Sequence, residues 1–286
     1  MAAVAELRPM LEADLAAVAE LASVTFADLG RRLHTPPSPP RDPGGVHVRL
    51  RHTLTTDPDG AWVGEDAEGL TGVAVALVRE QLWGLALLVV RPDRQSTGLG
   101  RALLARALEY GAGVRDGIIL SSADPRALRA YARGGFTLLP SLSAAGRPRE
   151  LVAAPEVRPF ESADHELAAA VDRIVRGVPH GADLDALGRS GDELLTFPER
   201  GYAVHRAGAV KTIAAFDDEA AAALLRTVLA RTPGGVDAEV DWLTAAQHWA
   251  IDVVVAARLE LRPGGAVCVR GELGTMRPYL PGGAYL

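Results

Sequence analysis

Cysteine is nearly missing from this chain: Cys268 stands alone among 286 residues. No intrachain disulfide can brace the fold, and a reducing compartment fits. Cys268 lies in the strand-like run Ala266-Val267-Cys268-Val269, where a thiol is expected to be buried and inert. Lysine is equally scarce, with Lys211 the sole example. Long apolar runs are absent too, since the longest clean one, Leu82 to Val90, is too short to cross a bilayer. The first twenty residues place Glu6, Glu12, Asp14 and Glu20 among alanines, which argues against a secretory signal. Positive charge is not in excess: a net −6 and a pI near 5.7 exclude nucleic-acid binding by bulk charge. The expectation is a cytoplasmic protein with no membrane and no nucleic-acid partner.

What is present is ordinary globular material, 48% hydrophobic and 23% charged. That is enough apolar content for two cores and excludes disorder throughout. Charge divides unevenly. Residues 1–150 hold 17 arginines and 17 acids, while residues 151–286 hold 13 basic residues against 19 acids. An acidic half beside a neutral one suits a cationic small partner, or serves solubility.

The chain echoes itself. Arg8-Pro9-Met10-Leu11-Glu12-Ala13-Asp14 returns 150 residues later as Arg158-Pro159-Phe160-Glu161-Ser162-Ala163-Asp164. Apolar residues at helical spacing follow each copy, at Leu15, Val18 and Leu21 and at Leu167, Val171 and Ile174. A period this long means tandem domains of similar build. The expected boundaries are 1–145 and 156–286, joined by a linker at 146–155 within the Ala-, Gly- and Pro-rich stretch from Ala144 to Pro155.

Within the first copy, Pro36 to Pro40 reads as a stiff loop and Gly45 to Thr55 as a second helix. Strands are expected at Ala61 to Glu65, Leu70 to Arg79 and Leu82 to Val90, the last two joined by a tight turn at Glu80-Gln81. Leu99 to Tyr110 is apolar along one helical face and stops at Gly111. A strand begins at Ile118 to Ser121, then a helix runs from Pro125 to Arg133 and ends at Gly134-Gly135. The pattern is α/β with a mixed sheet.

Chemistry concentrates after the strand ending at Val90. There Gln95-Ser96-Thr97-Gly98-Leu99-Gly100-Arg101 opens a helix with two glycines in its first turn. A helix N-terminus leaves backbone N–H groups unpaired and carries positive dipole character, so it binds phosphate. Glycine admits close approach, and Arg101 adds a charge-assisted contact. A Rossmann fingerprint fails because Leu103 stands where its third glycine belongs. A Walker loop fails because it needs a Gly-Lys pair.

Gln-x-x-Gly-x-Gly following such a strand resembles the pyrophosphate signature of the GNAT superfamily of acyl-CoA-dependent N-acyltransferases. A second block, Asp124-Pro125-Arg126-Ala127-Leu128-Arg129-Ala130-Tyr131 through Gly135-Phe136, is similar to that family's Asn-x-x-Ala-x-x-x-Tyr-x-x-x-Gly-Phe, with Asp124 in place of Asn. The resemblance at motif level spans about residues 3–140. It implies two tandem GNAT-like domains, each a mixed, mainly antiparallel sheet flanked by helices, with a splayed parallel strand pair at the cofactor site. It further implies acetyl-CoA lying between Leu85–Val90 and Ile118–Ser121. Its pantetheine arm would pair with Leu88, Val89 and Val90, and its pyrophosphate with Ser96, Thr97, Gly98, Leu99, Gly100 and Arg101 beside Gln95. The acceptor amine would attack the thioester directly, which needs a neutral amine, oxyanion donors near Val89–Val90 and a proton for the thiolate.

Tyr131 is the expected general acid, against the alternative of a core filler. Asp124, at the family's Asn position, is expected by the same resemblance among the cofactor-binding residues, and is equally well an N-cap before Pro125. The Trp83–Val90 strand holds no carboxylate, so Glu80 at its beginning is the nearest candidate base. His47 and His52 fall on the second helix, where a lone histidine is more often a surface residue.

In the second copy, Phe216-Asp217-Asp218-Glu219-Ala220-Ala221-Ala222 takes the place of the phosphate loop. It has no glycine, and its acids repel pyrophosphate while suiting the helix dipole. This half is expected to bind no cofactor. Trp242, Trp249, Tyr279 and Tyr285 are expected in its core or lining a pocket, and the apolar tail Arg277 to Leu286 is expected to pack on the body or at the domain interface.

The function expected is N-acetyl transfer from acetyl-CoA to a small-molecule or peptide amine, cationic if the acidic half faces it, by a monomer or homodimer and without a metal. The alternatives are an acyl-CoA sensor without turnover and a scaffold that has lost its cofactor.

Overall fold

The computed structural model describes residues 5–35, 43–149 and 151–286, so the proline run at 36–40 lies outside the described residues. The chain divides into two units, Met1–Arg115 and Asp116–Leu286.

The first unit runs β1 (Glu6–Pro9), α1 (Leu15–Leu33), α2 (Pro43–Thr56), β2 (Ala61–Asp66), β3 (Gly69–Arg79), β4 (Leu82–Val90) and α3 (Leu99–Tyr110). Its strands pair in sequence order, each antiparallel to the next. Side chains alternate across a strand, and here the alternation sorts two layers. Val63, Val73, Val75 and Val89 join the core formed with Met10, Leu15, Val18, Leu21 and Leu50 of the α1–α2 side. At the intervening positions stand Gly64 and Gly72, where an added Cβ would come within 2.9 Å of Leu99 and 2.7 Å of Leu103. Those two glycines let α3 settle directly on the sheet. Leu99, Leu103, Leu104 and Ala107 form its buried face; each of the leucines contributes about 1.5–3 kcal/mol.

Polar contacts lock the far end of α3. The Trp83 indole N–H, fully buried, donates to Ala107 O at 2.9 Å. Buried Asp57 accepts from Val78 N (2.8 Å), Tyr110 Oη (3.0 Å), Arg79 Nη1 (2.8 Å) and Thr56 Oγ1 (2.5 Å). Burial, together with the Asp57 carboxylate, pushes the Tyr110 hydroxyl up to about 12.

The second unit continues β5 (Asp116–Ser121), α4 (Pro125–Arg133), β6 (Thr137–Gly146), β7 (Arg158–Pro159), α5 (His165–Val175), α6 (Ala182–Arg189), β8 (Glu193–Phe197), β9 (Gly201–Arg206), β10 (Ala209–Ala215), α7 (Asp218–Ala230), β11 (Ala238–Leu243), α8 (His248–Ala256), β12 (Glu260–Arg270) and β13 (Tyr279–Leu280). From β7 to β12 this repeats the order β1 to β6. The repeated heptad is also a repeated structure. Arg8 holds Asp14 with two bonds of 2.7 and 2.9 Å, and Arg158 holds Asp164 with two of 2.8 and 2.9 Å. Each aspartate also accepts the amide three residues before it, from Leu11 at 2.8 Å and from Glu161 at 2.7 Å. The molecule is thus α/β, mostly antiparallel, with β10·β11 a parallel pair.

Three details depart from the sequence expectations. β6 extends through Gly146, so the Ala- and Gly-rich stretch from Ala144, and with it the first residue of the expected linker, begins as strand; Ala144, Ala145 and Gly146 pair with β11, and Ala144 and Ala145 also with β12. The buried face of α5 is Ala168, Val171, Asp172 and Val175, while Ile174 is half exposed. That face turns because Asp172 points inward, accepting from Tyr202 Oη at 2.6 Å and bonding His180 Nδ1 at 2.9 Å. Most consequential is β12, which pairs antiparallel with both β5 and β6, while β6 takes β11 on its other side. The last strand of each copy therefore sits beside the fifth strand of the other. Cys268 is buried in β12, as expected, and burial pushes its thiol up to about 12.

Candidate active site

The β4 strand is irregular where it matters. Its register with β3 runs Val75↔Leu87 and then Ala76↔Leu85, leaving Ala86 unopposed as a β-bulge. A bulge bends a strand and re-aims the residues beyond it, here Leu88, Val89 and Val90. Leu88 and Val90 are half-buried and Val89 is buried.

Beyond β4 the chain makes a short 3-10 turn at Pro92–Arg94 and enters α3 through residues 95–98. Gln95 Nε2 donates back to Val90 O at 2.9 Å, and Thr97 Oγ1 donates to Arg94 O at 2.8 Å. Ser96 has φ +64 and Gly98, the N-cap residue of α3, has φ +95. Two left-handed residues in three fold the loop so tightly that the helix begins with exposed backbone. The first intrahelical donor is Ala102, bonded to Gly98 O at 3.1 Å. The amides of Leu99, Gly100 and Arg101 therefore have no partner within the helix. Ser96, Thr97, Gly98 and Arg101 are exposed.

The charges around this loop are sorted. Arg91 contacts Glu68 and Asp93 at 2.7 and 2.8 Å, and Arg94 contacts Asp66, Glu68 and Asp93 at 2.9, 2.8 and 2.6 Å. The Glu68 amide and the Arg94 guanidinium hold the Asp66 carboxyl below its usual range. Both arginines are thus spent on bracing the turn. Positive character at the helix start comes from the free amides and from Arg101, which makes no ion pair among the described residues.

Asp124 and Tyr131 lie on α4, in the second unit. Asp124 caps that helix, accepting Arg126 N at 2.9 Å and pairing with Arg126 Nη2 at 2.7 Å. Its carboxylate is committed to its own helix. Tyr131 is buried, 6% exposed, and its hydroxyl makes no hydrogen bond among the described residues. Burial, with smaller contributions from Cys268 and Asp124, raises its pKa well above 10. Glu80 is exposed in the β3–β4 turn with φ +49, at the opposite end of β4 from the glycine loop. His47 and His52 are half-buried on α2. Among the described residues no group of three or more His, Cys, Asp or Glu side chains is arranged to hold a metal ion.

Residues 57–138 match the acetyltransferase (GNAT) domain family. That stretch holds β2 to β5, the glycine loop, α3 and α4, the segment in which both sequence motifs lie. Solved structures resemble nearly the whole chain. A putative acetyltransferase from Pyrococcus horikoshii superposes with a TM-score of 0.77 at 15% identity, over 96% of this chain and 91% of that one. A GCN5-related N-acetyltransferase from Sphaerobacter thermophilus gives 0.58 at 17% identity, over 94% and 97%. A tandem GNAT protein from the clavulanic acid biosynthesis pathway gives 0.61 at 14%, over 93% and 98%. At such identities these likenesses establish the fold, two GNAT-like copies in tandem. No curated protein sequence matches the chain. No helix among the described residues is long and apolar enough to cross a membrane.

The second copy departs from the GNAT pattern at the same place. Asp217 caps α7, accepting Ala220 N at 2.9 Å, and Arg200 clamps Asp217 and Glu219 at 2.5 and 2.9 Å. Side-chain carboxylates occupy the helix start that the first copy leaves open. Three features were not visible as motifs: the bulge at Ala86, the bracing of Arg91 and Arg94 by acids from the β2–β3 turn, and the exchange of β6 and β12. Glycine at 64 and 72 was a usable signal for the close seating of α3.

Proposed function

We propose that this protein is an N-acetyltransferase that moves the acetyl group of acetyl-CoA directly to an amine. The observation that carries the reading is the start of α3: three unpartnered amides, a left-handed Gly98 and an unpaired Arg101 make a built site for a diphosphate. The match of residues 57–138 to the GNAT domain family supports the same reading. The cofactor-binding set is Leu88, Val89, Val90, Gln95 and residues 96–101, with copies at 1–145 and 156–286 around a linker at 146–155.

In this reaction the neutral amine attacks the thioester carbonyl, the C–S bond breaks, and the CoA thiolate takes a proton. Amides at Val89–Val90, beyond the bulge, are the donors for the oxyanion. Tyr131 is the residue proposed to supply the proton: its hydroxyl makes no hydrogen bond among the described residues and is therefore available to a thiolate. Asp124 acts by capping the tyrosine's helix. Glu80 is the carboxylate proposed as base, although it sits in the β3–β4 turn, at the opposite end of β4 from the glycine loop. The acceptor is a small-molecule or peptide amine, favoured when cationic by the acidic second half.

The test is a calorimetric titration with acetyl-CoA, followed by thiol release over an amine panel. One site per chain and thiol release with cationic amines support the proposal. Binding without thiol release would favour a sensor of acyl-CoA, and no binding would overturn both.

A further inference from the structure

The second copy has its own groove, and a peptide fills it. β10 and β11 pair in parallel at Ala209↔Glu239 and then diverge, and β13 lies antiparallel along the freed part of β10, with Ile213↔Leu280 and Ala214↔Tyr279. The position of this pairing is set by a bulge. β10 matches β9 at Val210↔His205 and then Thr212↔Val204, leaving Lys211 unopposed, as Ala86 is unopposed in β4. Aligned on their bulges, Ile213, Ala214 and Ala215 are the counterparts of Leu88, Val89 and Val90. These residues pair with the tail: Ala215 N–H donates to Pro278 O at 3.3 Å, and the neighbouring Thr212 Oγ1 donates to Leu280 O at 2.9 Å.

Charge at the mouth of the groove is inverted relative to the first copy. There the helix start is open and carries a free arginine; here α7 begins with Asp217, Asp218 and Glu219, and Arg277 ion-pairs with Asp218. The segment then runs inward. Tyr279, Leu280, Tyr285 and Leu286 are all buried. A Cβ on Gly282 would fall 2.2 Å from Lys211 O, so backbone rests on backbone. At the inner end, fully buried Arg176 donates from Nε to Leu286 O (2.6 Å) and from Nη2 to Tyr285 O (2.9 Å). Tyr279 Oη donates to the same Leu286 oxygen at 2.9 Å.

We propose that the groove between β10 and β11 is a strand-receiving site for a peptide led by an arginine, which adds a short strand and then turns back on itself, and that residues Arg277–Leu286 are its resident ligand, held in cis. Tyr279–Leu280 is the added strand, and Leu286 N–H closes the turn on Gly282 O at 2.6 Å. Recognition is by backbone pairing to Ile213–Ala215, a cation at Asp218 and aromatic side chains in the interior, the mode in which a sheet edge takes an added strand. This site stands apart from the acetyl-transfer reading, and either can fail alone.

The test uses the full chain with a protease recognition sequence inserted after Gly271, which is exposed, and cut after folding. The probe is a fluorescent synthetic peptide of residues 276–286. It is expected to replace the resident segment at one per cut chain and to leave the uncut chain unlabelled. A peptide carrying Arg277→Glu should bind at least tenfold more weakly, and Asp218→Arg in the protein should reverse that order. Equal uptake by cut and uncut chains, equal binding of the two peptides, or a cut segment that never exchanges would overturn the proposal. Should the cut protein precipitate, hydrogen exchange on uncut Gly282→Val decides. The Ala215 amide should exchange at least tenfold faster while amides between β8 and β9 keep their protection, and an unchanged Ala215 would overturn the assignment.

Discussion

Gly98 separates two costs that are usually confounded, backbone strain and charge. Its φ of +95 lies in the left-handed region, and a Cβ there would meet nothing nearer than Arg101 Nη2 at 3.9 Å. Gly98→Ala therefore costs only the left-handed penalty, about 1–2 kcal/mol, read as a Tm drop of a few degrees. Gly98→Glu carries the same strain but gains about 0.3–1 kcal/mol from an anion at the helix start. The unliganded Glu variant should melt at or slightly above the Ala variant. Against a diphosphate the order reverses. Unit charges about 6 Å apart repel by roughly 0.7–3 kcal/mol for an effective dielectric between 80 and 20, and two phosphates about double that. Acetyl-CoA affinity of Gly98→Glu should fall on the order of 10- to 10,000-fold below that of Gly98→Ala, with the gap narrowing as salt rises. Calorimetric titration at two ionic strengths, beside thermal melts, reads both effects. Equal affinity in the two variants would refute the placement of a diphosphate on this helix.

Four further outcomes are expected. Tyr131→Phe should lower acetyl transfer about 10- to 100-fold while leaving acetyl-CoA affinity within twofold; loss of both together would make Tyr131 a packing residue. Trp83→Phe leaves Ala107 O without its donor in a dry site and should cost about 1–3 kcal/mol, measured by denaturant unfolding, and no loss would contradict that hydrogen bond. For Asp172, burial opposes ionisation, but His180, Arg176 and Tyr202 outweigh it and lower the pKa from 3.8. A depressed folded pKa means stability that is present above the unfolded value and lost as pH falls through the folded one. The wild type should therefore lose stability below about pH 4 more steeply than Asp172→Asn, and parallel pH curves would refute the assignment. Finally, fragments 1–146 and 147–286 should each lack a cooperative transition alone and regain one on mixing, because β5 and β6 of the first need β12 of the second; a cooperative melt from either fragment alone would refute this.

Much of this architecture was legible because local signals agreed with one another. Leu99–Tyr110 and Pro125–Arg133 match their helices at both ends, since glycine and proline punctuate them where the apolar periodicity stops. Leu82–Val90 matches its strand for the same reason. The Arg8–Asp14 and Arg158–Asp164 pairs show why seven residues sufficed to reveal a duplication: each heptad is a closed hydrogen-bonded unit. What escaped the sequence is non-local. A bulge depends on which residue of β3 faces which of β4, and Ala86 carries no mark of it. Pairing of β12 with β5 joins positions far apart in the chain, chosen by what remains unpaired. The tail was readable as apolar, yet its destination rested on the divergence of β10 and β11, a property of neither strand alone. The inward turn of Asp172 likewise depended on His180 and Tyr202 arriving from elsewhere.

The position of β12 also sets a schedule for the ribosome. β5 and β6 are complete once Gly146 has been made, but the strand that separates them begins only at Glu260. More than a hundred residues must be translated in between, which at about 5–20 residues per second takes on the order of ten seconds. Throughout that interval the nascent chain presents two apolar strands that must not yet join each other, because closing the gap early would shut out the strand that belongs there. Synthesis of this protein is therefore a matter of delay as much as of stability, and its slowest-maturing region is the middle of the chain rather than either end.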